Sequence, residues 1–374
     1  MTQVLSLIEK NTALWERYQA LKAENPMLFP TEGAAALEVS EFELMLASPY
    51  SQYIGEEYRE VLKQFESFGK VESIVRNELA VHEKTALYHN LKLGEKMGLA
   101  LNVGGFDLRF FMWQWKHMLA VSDTSREDKP SYSVQFYSAE GTAIEKVYLR
   151  DLSDENFANW QAMIQTQSQA VSAGELTLDA QQPPSEWRYK SLGEEDREQL
   201  KNGWQAMTDV HQFHGLLKKL NIDRASSYRQ APEQMTQQLD IEAVEAVFEK
   251  ARDAQCPIMI FVGNIGLIQI QTGTVQTIKR MGDWFNILDK KHNDFTLHLK
   301  DKALAQLWCV KRPTKDGIVT CIEGFDSYGA SIFSVFGQRV EGTKELGEWQ
   351  KITEEVIDAH PYAEVTEPPT GVSV

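Results

Sequence analysis

At 374 residues, 43% hydrophobic and 25% charged, the chain has the composition of an ordinary globular protein and the length for two domains of common size. A formal charge of −16 repels phosphate backbones and argues against nucleic acid as a partner, and no run approaches the roughly 18 apolar residues that a membrane-spanning helix needs, so no membrane insertion is expected. The opening residues lack the basic start and apolar stretch of a secretory signal, and Cys256, Cys309 and Cys321 lack metal or disulfide spacing, so a reducing, cytoplasmic location is expected.

In chain order, Leu5 to Glu24 carries apolar residues near helical spacing, stopped by Pro26 and Pro30. Residues 31–37 and 40–46 read as two short helices, the second with Ser40 as N-cap before the acidic first-turn residues Glu41 and Glu43. From Lys70 to Leu149 the segments become short and β-rich, separated by turn clusters, as in an antiparallel meander. A helix carrying Trp160 follows, and then a polar, helix-breaking stretch containing Gly174, Pro183 and Pro184 reads as a linker. The later chain repeats the order: helices, strands, a helix carrying Trp349, and a tail with Pro368 and Pro369.

That order reflects a duplication. Phe106-Asp-Leu-Arg109 and Phe295-Thr-Leu-His298 lie 189 positions apart, as do Asn159-Trp160-Gln161 and Glu348-Trp349-Gln350. Gly141 and Gly329 are 188 apart, and Asn77 and Asn264 are 187 apart. The expected fold is α+β: a tandem structural repeat of two large antiparallel β-sheets, each flanked by helices packed to one side. The boundaries expected are an N-terminal repeat over 1–171, a linker over 172–186, a C-terminal repeat over 187–360 and a tail over 361–374. Consecutive strands disfavour a doubly wound parallel sheet, and neither GxGxxG nor a Walker motif supports nucleotide chemistry.

Few residues carry candidate chemistry. His211 and His214 share a predicted helix, Asp209-Val-His211-Gln-Phe-His214-Gly-Leu-Leu, in which Val210, Phe213, Leu217 and Leu220 form an apolar stripe with His211 at its edge. Gly215, one turn from His211, costs about 1 kcal/mol relative to alanine in a helix interior; either something bulky lies over that turn or a neighbouring helix packs closely. His211 reads either as a boundary histidine or as a ligand, and without a third ligand in suitable spacing the two histidines are a weak zinc signal. Arg109, Arg312 and Arg339 lie in or beside predicted strands. Alternation puts Arg109 and Phe111 on one face and Leu108 and Phe110 on the other. This is either a solvated face or a site for an anionic, planar ligand, because guanidinium pairs with carboxylate and packs on flat π surfaces.

Taken together, Leu14-Trp-Glu-Arg, Val71-Glu-Ser-Ile-Val-Arg-Asn-Glu, Phe106-Asp-Leu-Arg109, Asp209-Val-His211-Gln-Phe, Phe261-Val-Gly-Asn264, Arg312-Pro-Thr-Lys-Asp-Gly317 and Phe336-Gly-Gln-Arg339 resemble the cytoplasmic haemin-binding and haemin-degrading proteins of Gram-negative haem-uptake systems, the HemS/ChuS type. The resemblance covers almost the whole chain. It implies haem (iron protoporphyrin IX) as cofactor, in a cleft of the C-terminal half roofed by the N-terminal half. His211 is implied as the proximal iron ligand, and Arg109 with Phe111 as distal residues, so that Arg109 and His211 are the candidate catalytic pair. Arg224 is implied as a propionate partner, with Arg312 and Arg339 as further basic residues of the cleft. Phe333 and Phe336 stand where many relatives carry tyrosines, which removes hydroxyl donors. The resemblance implies iron acquisition by oxidative haem degradation or, as the alternative, non-catalytic carriage of haem to an oxygenase or other acceptor. An electron-donor or haem-acceptor protein and transient contact with an inner-membrane haem importer are the implied partners. A non-haem interaction protein is the third reading. His82, whose duplicate is Gln269, is the second candidate ligand.

Overall fold

A computed structural model describes residues 2–102, 104–171, 174–340 and 342–363. The first two residues of the expected linker region, 172 and 173, and the tail from 364 onward lie outside the described residues. The fold is α+β, and among the described residues the strands form two nine-stranded sheets and a two-stranded one. The chain divides into two compact units: residues 1–184 with 261–271 and 288–298, and residues 185–260 with 272–287 and 299–374.

In the first unit, helix Thr12–Glu24 starts later than the apolar spacing of Leu5 to Glu24 suggests, because Asn11 caps it by accepting from the Leu14 amide at 3.1 Å. The residues before it form strand Gln3–Ser6, paired antiparallel with Glu175–Leu178 inside the polar stretch. Leu5, Leu176 and Leu178 pack against Phe42, Leu119 and Tyr137, and that burial rather than local propensity sets the conformation. Ser40 caps helix Glu41–Ala47 as expected, accepting from the Glu43 amide at 3.1 Å.

The duplication is visible in matched hydrogen bonds. Asn77 Oδ1 accepts from the amides of Leu79 and Ala80 while its Nδ2 donates to the Gly263 carbonyl at 2.9 Å. Asn264 mirrors this: Oδ1 accepts from Gly266 and Leu267, and Nδ2 donates to the Arg76 carbonyl at 3.0 Å. The first unit therefore contains strands of both copies, and Leu267 to Ile270 pair with Asp107 to Phe110. Gly141 and Gly329 occupy equivalent turns with φ of 81° and 78°, which favours glycine.

The first unit also buries Glu145, which accepts hydrogen bonds from Ser73 and Tyr88. Burial outweighs those bonds and pushes its carboxyl up to about 7 from 4.5. A carboxyl raised on folding favours the folded state fully below about pH 4.5, and that contribution is lost as pH rises through about 7. Glu145→Gln is accordingly expected to stabilise the protein at pH 8 by about 3 kcal/mol, with no gain below pH 4.5. Urea unfolding at both pH values checks this.

In the second unit, strands Thr236–Leu239, Gln306–Thr314, Gly317–Phe325 and Ser331–Gly337 lie side by side in that order. Register places Trp308, Glu323 and Ser334 in one row and Val310, Cys321 and Phe336 in the next. This face packs with Trp204, Phe213 and Tyr228. Helices Ala243–Asp253 and Gly347–Ala359 cover the opposite face: Phe248 meets Phe333, and Trp349 donates to the Thr320 carbonyl at 3.0 Å. Helices thus cover both faces here rather than one, and the unbroken buried run Leu307-Trp-Cys-Val310 is the local sign of two-sided burial.

Candidate functional site

His211 occupies the N-cap position of helix Gln212–Lys219, so the helix starts one residue after it rather than at Asp209. Side chains compete with the helix for the preceding backbone. Gln212 Oε1 accepts from the amides of Thr208 at 2.9 Å and Asp209 at 3.3 Å, while Asp209 Oδ1 accepts from the His211 amide at 2.8 Å. Phe213, Leu217 and Leu220 are buried as the stripe predicts, whereas the His211 side chain is 90% exposed. A Cβ on Gly215 would meet no protein atom within 4 Å, which removes close helix packing as the reason for that glycine.

The His211 ring is nevertheless anchored. Its Nδ1 lies 2.6 Å from Asp209 Oδ1, an acceptor for a proton on that nitrogen, which leaves Nε2 as the lone-pair donor. The bond from the His211 amide is the main reason the Asp209 carboxyl lies below its ordinary range; the ring bond and the charge of Arg339 add to it. Arg339, a half-buried cation of the predicted set, thereby acts on the same turn.

Two residues after His211, Phe213 connects this turn to a buried charge cluster. Arg312 stands 4.6 Å and Arg224 5.9 Å from its ring centroid. Arg224 donates to Glu323 Oε2 at 2.8 Å and to the Tyr228 hydroxyl at 3.3 Å; Arg312 donates to the same hydroxyl at 2.7 Å. Tyr228 in turn donates to Glu323, and Ser331 donates to its other oxygen at 2.8 Å. Burial alone would raise the Glu323 carboxyl, but Arg224 and then Arg312 hold it below its ordinary value. Two guanidinium groups to one carboxylate leave the cluster one positive charge in excess. Phe336 packs partly buried against this core.

Phe333 does not join it. Three residues from Phe336 on a strand, it points to the opposite face, is 1% exposed and packs 6.3 Å from Phe248, which corrects the expectation that both phenylalanines face one ligand. Tyr228 and Glu323 were missed in the sequence. Alternation through Val319, Cys321 and Phe325 places Glu323 on an apolar, inward face, a signal that it needs partners.

In the first unit, Arg109 and Phe111 share a face of strand Asp107–Phe111, opposite the buried Leu108 and Phe110, as alternation predicts. Asp107, on the same face, pairs with the Arg109 guanidinium, which also donates to the Leu108 carbonyl at 3.1 Å. Phe111 lies 5.5 Å from the Trp113 ring. His82 is fully buried against Phe295, 4.8 Å between ring centroids, and burial lowers its pKa to about 3. It sits on the inward row of strand Ala80–Leu87, so the structure counts against its candidacy as a second ligand.

Residues 38–167 and 221–356 each match the haemin-degrading HemS.ChuX domain; the segments include Arg109, Arg224, Arg312 and Arg339, and His211 lies before the second. The hemin transport protein HemS of Yersinia enterocolitica is 34% identical over 341 residues, 90% of this chain and 95% of that protein. The structure of holo-PhuS, a heme-binding protein from Pseudomonas aeruginosa, superposes with a TM-score of 0.82 at 32% identity, covering 92% of this chain and 99% of that one. The heme degrading enzyme ChuS of Escherichia coli O157:H7 gives a TM-score of 0.80 at 32% identity, over 92% and 98% of the two chains.

Proposed function

This chain belongs to the haemin-degrading HemS.ChuX domain family, and on that premise we propose that it binds haem as its substrate through His211 and opens the ring oxidatively to release iron. The observation that carries this reading is the His211 ring, 90% exposed with Nδ1 held by Asp209, an available nitrogen ligand of fixed orientation. The excess positive charge shared by Arg224 and Arg312 suits a propionate, with Arg339 as a further cation, since charge-assisted hydrogen bonds contribute about 1.5–3 kcal/mol each. Phe336, only partly buried, offers apolar surface for the porphyrin. Arg109 and Phe111 are assigned to the distal side by family resemblance, with Arg109 as the donor to negative charge developing during ring opening.

A carrier that passes intact haem to an acceptor protein is the second reading, favoured by the pairing of Arg109 with Asp107, which commits part of its hydrogen-bonding capacity. Among the described residues no helix is long and apolar enough to cross a membrane; a cytoplasmic location, an electron donor and contact with a haem importer are part of the proposal. The test is a ferric haem titration followed by reductant and oxygen in the presence of catalase, with products identified by mass. Loss of the Soret band with release of iron supports degradation, and a stable ferrous complex that transfers haem to an acceptor supports carriage. Arg109→Ala is expected to leave haem affinity within about 3-fold while slowing ring opening by about 100-fold or more, in line with loss of a charge-stabilising donor; single-turnover rates beside equilibrium titrations check it.

A further inference from the structure

We propose that Asp209 is a positioning residue that fixes the Nδ1–H tautomer of His211 and makes Nε2 a stronger donor, biasing bound iron toward the ferric state. The proposal deepens the reading of His211 as the haem ligand and rests on it.

One carboxylate oxygen, Asp209 Oδ1, receives two donors from the same residue, the His211 amide at 2.8 Å and ring Nδ1 at 2.6 Å. The amide bond alone would complete an aspartate turn; the ring bond is an addition that turn geometry does not require. The carboxylate is also held in place. Gln212 ties the amides of Thr208 and Asp209 through its side-chain oxygen and donates to Thr208 Oγ1 at 3.3 Å, while the Thr208 carbonyl accepts from the Lys315 amide at 2.9 Å. The N-cap residue His211 makes no side-chain cap bond to helix Gln212–Lys219, so its ring is left to bond the Asp209 carboxylate instead. A neutral imidazole that donates Nδ1–H to an anion has its lone pair on Nε2 and more electron density there, and a more electron-rich ligand favours Fe(III) over Fe(II). In this arrangement reduction of the bound iron depends on a sufficiently strong external donor.

The experiment compares wild type, Asp209→Asn, Asp209→Ala and His211→Ala. Nitrogen-15 NMR of the haem-free protein reads the tautomer: Nδ1–H is expected in wild type and in Asp209→Asn, whose amide oxygen still accepts, and a shift toward Nε2–H in Asp209→Ala. Ferric haem affinity is expected to fall about 10–100-fold in Asp209→Ala and less in Asp209→Asn. Loss of the anion in Asp209→Asn should reduce the preference for ferric over ferrous iron about tenfold, which raises the midpoint potential by about 59 mV for one electron. If His211→Ala loses the ligand signature while both Asp209 variants keep the wild-type tautomer, affinity and potential, the role of Asp209 is refuted and the ligand stands. If His211→Ala leaves the spectrum unchanged, the ligand reading fails and the Asp209 proposal with it.

Discussion

Replacing His211 by alanine is expected to shift or abolish the Soret band of the haem complex and to weaken ferric haem binding by more than about 100-fold, beyond the range typical of losing a partner outside the metal's own ligands. The size follows from having no equivalent nitrogen nearby. His82 is enclosed in the first unit, and exposed His214 has, among the described residues, no side-chain hydrogen bond that orients its ring as Asp209 orients that of His211. Folding should be almost unaffected, because the His211 side chain is 90% exposed and surface substitutions away from buried contacts usually change stability by no more than about 0.5 kcal/mol. Titration by absorbance, with thermal unfolding of the same samples, separates the two effects. An unchanged band and affinity would remove His211 as the ligand.

Glu323→Gln should produce the largest loss of stability, on the order of 3–5 kcal/mol, because removing one partner leaves buried guanidinium charge uncompensated. Arg312 carries most of that cost: it is 4% exposed, whereas the Arg224 side chain is 43% exposed and can turn toward water, which places the expected value nearer the lower end. For a unit of this size the change corresponds to a fall in melting temperature of roughly 10 °C. Replacing the pair together, Arg312→Met with Glu323→Leu, should recover part of the loss, since apolar packing can substitute for a buried ion pair. Unfolding in urea of the single and double variants measures the coupling. A loss below about 1 kcal/mol for Glu323→Gln would show that the two arginines do not depend on this carboxylate.

The duplication and the element types were legible because neighbouring residues encode them. Ser40 caps its helix through a bond three residues away, and the alternation about Arg109 needs only the pleat of one strand. The His211 turn was only partly legible. The apolar stripe located the helix, but its start depends on how Asp209 and Gln212 divide their bonds between side chain and backbone, which competes closely with helix geometry. Phe333 and Phe336 illustrate a different difficulty: both read as aromatic residues near one cleft, and strand period separates them once the strand's extent is known.

The amino-acid sequence by itself determined the repeat, the class of fold, and the short set of imidazole and guanidinium groups worth testing, since periodicity and spacing are properties of nearby residues. Only the tertiary structure decided that Gln3–Ser6 pairs with Glu175–Leu178, that strands of both copies share the first unit, and that Arg224 meets Glu323 across 99 positions. Those choices depend on register and on which buried charges find partners, and both are settled by packing between segments that lie far apart along the chain.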